Sequence, residues 1–202
     1  MEANFMYCTF KGRKSVCPIL LSKEQALEGI RRLARQIAAD YARAAIHLVI
    51  ALKGAKTTAG YLAKELDELG MTFQVDGVRV KSYAGTESTG KLNWLQELAE
   101  PDLAGKHVLV VEDIIDSGYT LSELLKVLKF RYGKPASIRT VALLDKPSRR
   151  RPELKGFKAD YTGFEIQDVF VVGFGLDWDE EGRELPNIVY INPEDFINPS
   201  TN

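Results

Sequence analysis

The sequence predicts an α/β protein built on a mainly parallel sheet, and three observations carry that prediction. Short apolar runs at His47–Leu52, Val108–Val111 and Ile138–Leu144 have the length of buried strands. Segments with apolar residues at helical spacing stand between them. Strands alternating with helices in this way are the pattern of a parallel sheet joined by crossover helices. Such sheets bind ligands beyond the carboxyl ends of their strands, so functional residues are expected just after the apolar runs.

The elements follow in order. Ser22-Lys-Glu-Gln25 has the pattern of a capping box, and Leu27, Ile30, Ala34, Ile37 and Tyr41 then recur on one face of a helix. His47–Leu52 is the first buried strand, ended by Lys53-Gly54-Ala55. Thr57 to Leu69 reads as a helix stopped by Gly70. Thr72 to Tyr83 is rich in β-formers, and Ala84 to Gly90 has the small, polar, glycine-bracketed composition of a mobile loop. After the strand at Val108–Val111, helical spacing returns at Leu121, Leu124, Leu125 and Leu128. Ile138–Leu144 is a third strand, and Phe170–Gly173 and Asn187–Ile191 are short candidates. No repeat and no linker divides the 202 residues, so a single domain over 1–202 is expected.

Composition narrows the class. Hydrophobic residues at 45% and charged residues at 27% are ordinary for a globular protein, and a net charge of −1 gives no pull toward nucleic acid or an acidic membrane. Cys8 and Cys17 make neither a disulfide framework nor a C-x-x-C zinc pair, and two histidines make a His-rich metal centre a poor expectation. Residues 1–10 lack a signal-peptide core, and no apolar stretch approaches the roughly 18–20 residues of a membrane span. A cytoplasmic protein with no membrane or nucleic-acid partner is the expectation.

The chemistry concentrates in Val108-Leu-Val-Val-Glu-Asp-Ile-Ile-Asp-Ser-Gly-Tyr-Thr120. An apolar strand ends in Glu112 and Asp113, a turn runs from Asp116 through Ser117, Gly118 and Tyr119 to Thr120, and an amphipathic helix follows. Gly118 permits a tight turn, Ser117 and Thr120 supply hydroxyls, and the start of the helix offers N–H groups at its positive end. Together these form a cradle for a monophosphate. Paired carboxylates accept hydrogen bonds from sugar hydroxyls and favour nearby Mg²⁺. On spacing alone, Asp116 and Thr120 would serve equally as helix caps.

This segment resembles the phosphoribosyl-pyrophosphate motif of the type I phosphoribosyltransferases, in their hypoxanthine-guanine branch. The resemblance continues through Leu144-Asp-Lys-Pro-Ser-Arg-Arg150, Tyr161–Gly173 and Leu176–Pro186, in the family's order. It implies that family's fold: a mainly parallel twisted sheet flanked by helices, a small hood lobe drawn from both chain ends, and a flexible lid loop. The implied reaction joins a 6-oxopurine (hypoxanthine, guanine or xanthine) to phosphoribosyl pyrophosphate, releasing pyrophosphate with the help of Mg²⁺.

Site residues carry over by position. The resemblance puts Glu112 and Asp113 on the ribose hydroxyls and Asp116 at purine N7 as proton acceptor or donor. Ser117, Gly118, Tyr119 and Thr120 fall on the 5′-phosphate loop, with Tyr119 contributing mainly its backbone. Lys146 falls on the purine O6, which a donor-only lysine suits better than a 6-amino group. Phe170 matches the aromatic that stacks on the base and Val171 the residue that reads it through its backbone. Asp177 belongs to the base side and, with Glu112 and Asp113, to the implied Mg²⁺ set. Lys53, Gly54 and Arg183 match pyrophosphate contacts, with a cis peptide implied between Leu52 and Lys53, and Ser82 and Tyr83 open the lid. Ala55 departs from the family's glycine. A homodimer or homotetramer is implied as well.

Two rivals fare worse. A regulator on the same fold that senses phosphoribosyl pyrophosphate and binds RNA needs a basic face, and the run Lys146–Arg151 is short and overlaps the base site. Gly54-Ala-Lys-Thr57 lacks the glycine spacing of a Walker A loop.

Overall fold

The computed structural model describes residues 4–42, 44–82, 92–99 and 102–197. Tyr83 and the glycine-bracketed segment 84–90 lie outside these residues. The elements are β1 (Phe5–Phe10), β2 (Arg13–Leu21), α1 (Lys23–Tyr41), β3 (Ile46–Ala51), α2 (Lys56–Glu68), β4 (Phe73–Ser82), β5 (Leu92–Gln96), β6 (His107–Ile115), α3 (Tyr119–Arg131), β7 (Ser137–Asp145), β8 (Tyr161–Glu165), β9 (Phe170–Val172), β10 (Ile188–Ile191) and α4 (Glu194–Ile197).

The expected α/β architecture is present. Six strands form one sheet in the order β5-β4-β3-β6-β7-β8. The five from β4 to β8 run parallel and β5 is antiparallel at the edge. A four-stranded antiparallel sheet, β1-β2-β10-β9, is drawn from both ends of the chain.

The capping box holds: Gln25 N–H donates to Ser22 Oγ at 3.2 Å, and Ser22 N–H donates to Gln25 Oε1 at 2.8 Å. From that start α1 buries Ala26, Ile30, Leu33, Ala34, Ile37 and Tyr41. Each fully buried Leu or Ile there contributes about 1.5–3 kcal/mol. At Gly29 the helix lies so close to β8 that a Cβ would stand 2.4 Å from the Phe164 ring. Gly29→Ala would therefore break this packing. Leu48, Leu109, Val111 and Leu143 join the core beneath α1 and α2. Val49, Val108 and Val110 face the opposite side, where Leu121, Leu124 and Leu128 of α3 cover them. Period-2 alternation thus runs inside a continuous apolar strand because both faces are covered.

β6 is longer than its apolar run and continues through Glu112, Asp113, Ile114 and Ile115. Its pairing with β3 stops at Ile50↔Val111, whereas pairing with β7 continues to Ile115↔Asp145. Among the described residues, the last four residues of β6 are therefore paired with a strand on one side only. That gap at the carboxyl end of the sheet is where the candidate site forms.

The β1–β2 hairpin, β5, β8 and α4 are elements the sequence reading did not predict. Tyr161-Thr-Gly-Phe-Glu165 carries a strand-weakening glycine. The glycine is required because a Cβ at Gly163 would stand 2.5 Å from the Leu143 carbonyl oxygen on the neighbouring β7. Cys8 and Cys17 are free thiols buried in a third cluster, under the small sheet with Phe10, Val172 and Phe196. Burial pushes the Cys17 thiol up to about 12, which leaves it unreactive at neutral pH.

Candidate active site

The turn from β6 into α3 has the geometry of an anion cradle. Gly118 adopts φ +77° at the N-cap, a conformation that strains any residue with a Cβ. Tyr119 and Thr120, read from sequence as turn, form the first turn of α3. The N-cap is Gly118, which has no side chain to offer. Neither Asp116 nor Thr120 therefore does the capping that spacing alone allowed. Ser117 Oγ accepts from Tyr119 N–H at 3.3 Å, and the Tyr119 ring turns to Arg151, whose guanidinium carbon lies 3.9 Å from the ring centroid. A cavity of about 160 Å³ opens on this turn, lined by Glu112, Asp116, Ser117, Gly118 and Thr120 among others.

Asp116 lies between this cavity and the end of β7. Lys146, buried just beyond β7, brings Nζ to 3.8 Å from Asp116 Oδ2. Arg149 donates from Nε to Asp116 Oδ1 at 3.1 Å and also approaches Asp168 at 3.6 Å. Phe170 opens β9 from the small sheet with 43% of its surface exposed, its ring 6.5 Å edge-on from Trp178. Val171 is buried and pairs with Tyr190, so its backbone rather than its side chain is on offer. Phe170 lines a separate cavity of about 560 Å³ together with Asp168, Tyr190 and Phe196. The residues that the resemblance assigns to the purine thus come from two sheets.

A third group surrounds the loop after β3. The Leu52–Lys53 peptide is cis, as the resemblance implies. Gly54 packs directly on β6: a Cβ there would stand 1.7 Å from Asp113 Oδ2. Ala55 is fully buried at the N-cap of α2 with an ordinary φ of −64°, so its methyl group fits where the family has glycine. Lys53 Nζ and Arg183 Nη2 converge on Glu180 Oε2, at 2.9 and 3.4 Å. Arg183 also donates to the Gly175 carbonyl at 2.8 Å. Both cations line a cavity of about 920 Å³ with Lys56, Lys64 and Arg79. Of the lid pair, Ser82 ends β4 and Tyr83 lies outside the described residues.

Electrostatics mark the two strand-end acids. Glu112 and Asp113 keep some solvent-accessible surface but are packed round with protein. Burial holds the Glu112 carboxyl well above its usual range, and the neighbouring Asp113 charge adds to this. Burial likewise raises Asp113 to about 6, partly opposed by its hydrogen bond from Ile114 N–H at 2.8 Å. Two adjacent carboxylates held against desolvation are a functional-site signal. A divalent cation fits here, since it would offset both penalties. Among the described residues no three acidic or sulfur/nitrogen ligands converge on one point. Asp177 does not complete a preformed set with Glu112 and Asp113, because its Oδ1 pairs with Arg183 at 2.8 Å and its Oδ2 accepts from Glu180 N–H at 2.8 Å. Mg²⁺ is commonly held by one or two carboxylates plus substrate oxygens, so a two-carboxylate site suffices.

Sequence reasoning missed Arg149, Arg150, Trp178 and Glu180. They lie in the segments Leu144–Arg150 and Leu176–Pro186 that carry the resemblance, but each owes its place to partners distant in the chain or to a loop conformation, so no role was assigned to them.

The fold and the cleft define a phosphoribosyl transferase. Residues 19–179 match the phosphoribosyl transferase domain model. The chain is 38% identical over 176 residues to a hypoxanthine-guanine phosphoribosyltransferase from Bacillus subtilis, covering 87% of this chain and 93% of that one. It is 40% identical to the protein of the same name from Streptococcus pneumoniae, over 89% and 96% of the two. Among solved structures, a hypoxanthine phosphoribosyltransferase from Staphylococcus aureus superposes with a TM-score of 0.78 at 36% identity, over 88% and 92% of the chains. The hypoxanthine phosphoribosyl transferase of Trypanosoma cruzi gives 0.80 at 34%, over 89% and 93%. The chain belongs to the hypoxanthine-guanine phosphoribosyltransferase family.

Proposed function

We propose that the chain salvages purines by joining a 6-oxopurine (hypoxanthine, guanine or xanthine) to phosphoribosyl pyrophosphate, forming the nucleoside 5′-monophosphate. One observation carries this reading. Asp116 shares a cavity with the Ser117–Thr120 turn and stands 3.8 Å from a buried lysine, so one carboxylate borders both the phosphate end and the base end.

In this reading the Ser117–Thr120 turn holds the 5′-phosphate, using the helix N-terminus and Gly118's tight turn. Glu112 and Asp113 accept hydrogen bonds from the ribose hydroxyls. Lys53, Gly54 and Arg183 hold the pyrophosphate, and Glu180 keeps the two cations together until that anion arrives. Lys146 donates to O6, Phe170 stacks on the ring, and the Val171 backbone reads its edge, with Asp177 nearby. Mg²⁺ bound at Glu112 and Asp113, with Asp177 recruited only if Arg183 releases it, would supply positive charge to neutralise the departing pyrophosphate. The bond from C1 of the ribose to pyrophosphate breaks as a purine ring nitrogen bonds to C1, and Asp116 accepts the proton lost from N7. The small sheet acts as the hood over the base, and the segment from Ser82 and Tyr83 as the lid that excludes water. A cytoplasmic homodimer or homotetramer completes the proposal.

The test offers each purine and pyrimidine base separately with phosphoribosyl pyrophosphate and Mg²⁺. Monophosphate from hypoxanthine, guanine or xanthine, and none from adenine, is the expected result. No product from any base, with phosphoribosyl pyrophosphate still bound, would point instead to a sensing protein on this fold.

A further inference from the structure

Arg150 is the most heavily bonded side chain near the cleft, yet it does not line the cavity at the phosphate turn. It is buried with Asp145, and the two form an ion pair in which Nη2 donates to Oδ1. Its remaining donors go to backbone oxygens. Nε reaches Phe157 O at 3.0 Å, and Nη1 reaches Ile115 O at 3.0 Å, Lys146 O at 3.1 Å and Asp116 O. Two backbone bonds reinforce the pattern, from Lys146 N–H to Ile115 O at 2.9 Å and from Arg151 N–H to Ser117 O at 3.1 Å. The carbonyls of Ile115, Asp116 and Ser117 are therefore all drawn toward the segment from Asp145 to Arg151.

The consequence follows from peptide geometry. In a planar trans peptide the C=O and the following N–H point in opposite directions. The cis bond among the described residues lies elsewhere, at Leu52–Lys53. Fixing those three carbonyls on one side turns the N–H groups of Asp116, Ser117 and Gly118 to the other, where the 160 Å³ cavity opens. We infer that Arg150 is a positioning residue that aims this run of backbone donors at the 5′-phosphate, with Asp145 holding the guanidinium in place. It acts through the backbone and touches no substrate. The inference rests on the reading of the turn as the 5′-phosphate cradle.

Arg150→Lys tests it. Lysine keeps a charge for Asp145 but has no planar fork to hold several carbonyls at once. Titration calorimetry on the full chain would compare ribose 5-phosphate with Mg²⁺-pyrophosphate. Ribose 5-phosphate affinity is expected to fall roughly 10–100-fold, the scale of an ångström-level misplacement, while pyrophosphate affinity stays within about twofold. A second variant, D145L/R150M, replaces the buried pair with apolar side chains, a change that is often neutral or stabilising. It should melt near the wild-type temperature and show the same selective loss. Wild-type ribose 5-phosphate affinity in either folded variant overturns the inference, as do equal losses for both ligands. Failure of both variants to fold overturns it too, since Arg150 would then serve the fold rather than the cradle. If the wild-type chain itself bound no ribose 5-phosphate, the functional reading would fall first, before any variant was compared.

Discussion

On the proposed reading, the phosphate end of the cleft and its base end are built in different ways. Glu112 to Thr120 is one unbroken segment, in which a strand runs past its neighbour, turns at Gly118 and enters α3. The base end collects Lys146 from beyond β7, Phe170 and Val171 from β9 of the other sheet, and Trp178 from a loop. At the phosphate end, spacing along the chain is spacing in the fold. At the base end, position depends on two sheets meeting. Contiguity makes the first rigid and cheap to specify, whereas the second can change its side chains without disturbing the anion cradle.

The largest expected effect breaks the phosphate end alone. E112Q/D113N removes two charged acceptors, so affinity for phosphoribosyl pyrophosphate should fall on the order of 100-fold or more. Base-end groups would be untouched. The same change should stabilise the ligand-free protein, because both carboxyls are held above their usual range by burial. Calorimetry and thermal melting on one sample check both signs. A variant that lost affinity and stability together would argue that these acids hold the fold.

A smaller effect sharpens the base end. Lys146→Met should raise KM for hypoxanthine by roughly 10–100-fold, and preference over adenine should shrink with it, as a buried donor to O6 is lost. KM for phosphoribosyl pyrophosphate should stay within about threefold. Steady-state kinetics with each substrate varied in turn would show it, and equal rises in both constants would count against separate ends.

The pH dependence of stability is the gentlest of these tests. Asp113 has a folded-state value of about 6, above its unfolded value near 4. The folded chain therefore binds more protons than the unfolded chain between those limits. The resulting destabilisation is fully present above pH 6, shrinks as pH falls through that window, and vanishes below about 4. Glu112 is raised in the same direction by burial and adds to this slope. Ligand-free protein should thus gain on the order of 1–3 kcal/mol from this pair as pH falls from 7 toward 4, measured as the difference between wild type and E112Q/D113N. A difference that does not vary with pH would contradict the buried-pair account.

The same contrast explains what could be read from sequence. The capping box at Ser22 and Gln25, the parallel strands and the turn at Asp116–Gly118 all rest on neighbours in the chain, and residues alone indicated them, though they ran the turn two residues too far, into α3. The roles of Lys146 and Phe170 came only through family resemblance, because a lone lysine after a strand or a strand-end phenylalanine says little by itself. The β1–β2 hairpin stayed hidden because its long strand, Arg13–Leu21, contains Pro18 and has no strict alternation. Arg150 could not be found at all from spacing. Its backbone partners include Ile115 and Asp116, which lie 35 and 34 residues earlier.

On the proposed reading Asp116 borders both ends, and Asp116→Asn is the most direct test of that position. Asparagine keeps the shape beside the cradle but cannot accept the N7 proton. Turnover should fall about 10²–10⁴-fold, the usual contribution of a general base, while phosphoribosyl pyrophosphate affinity stays within about threefold. Equal losses in turnover and affinity would contradict the account, showing that Asp116 shapes the phosphate turn and takes no part in the chemistry at the base.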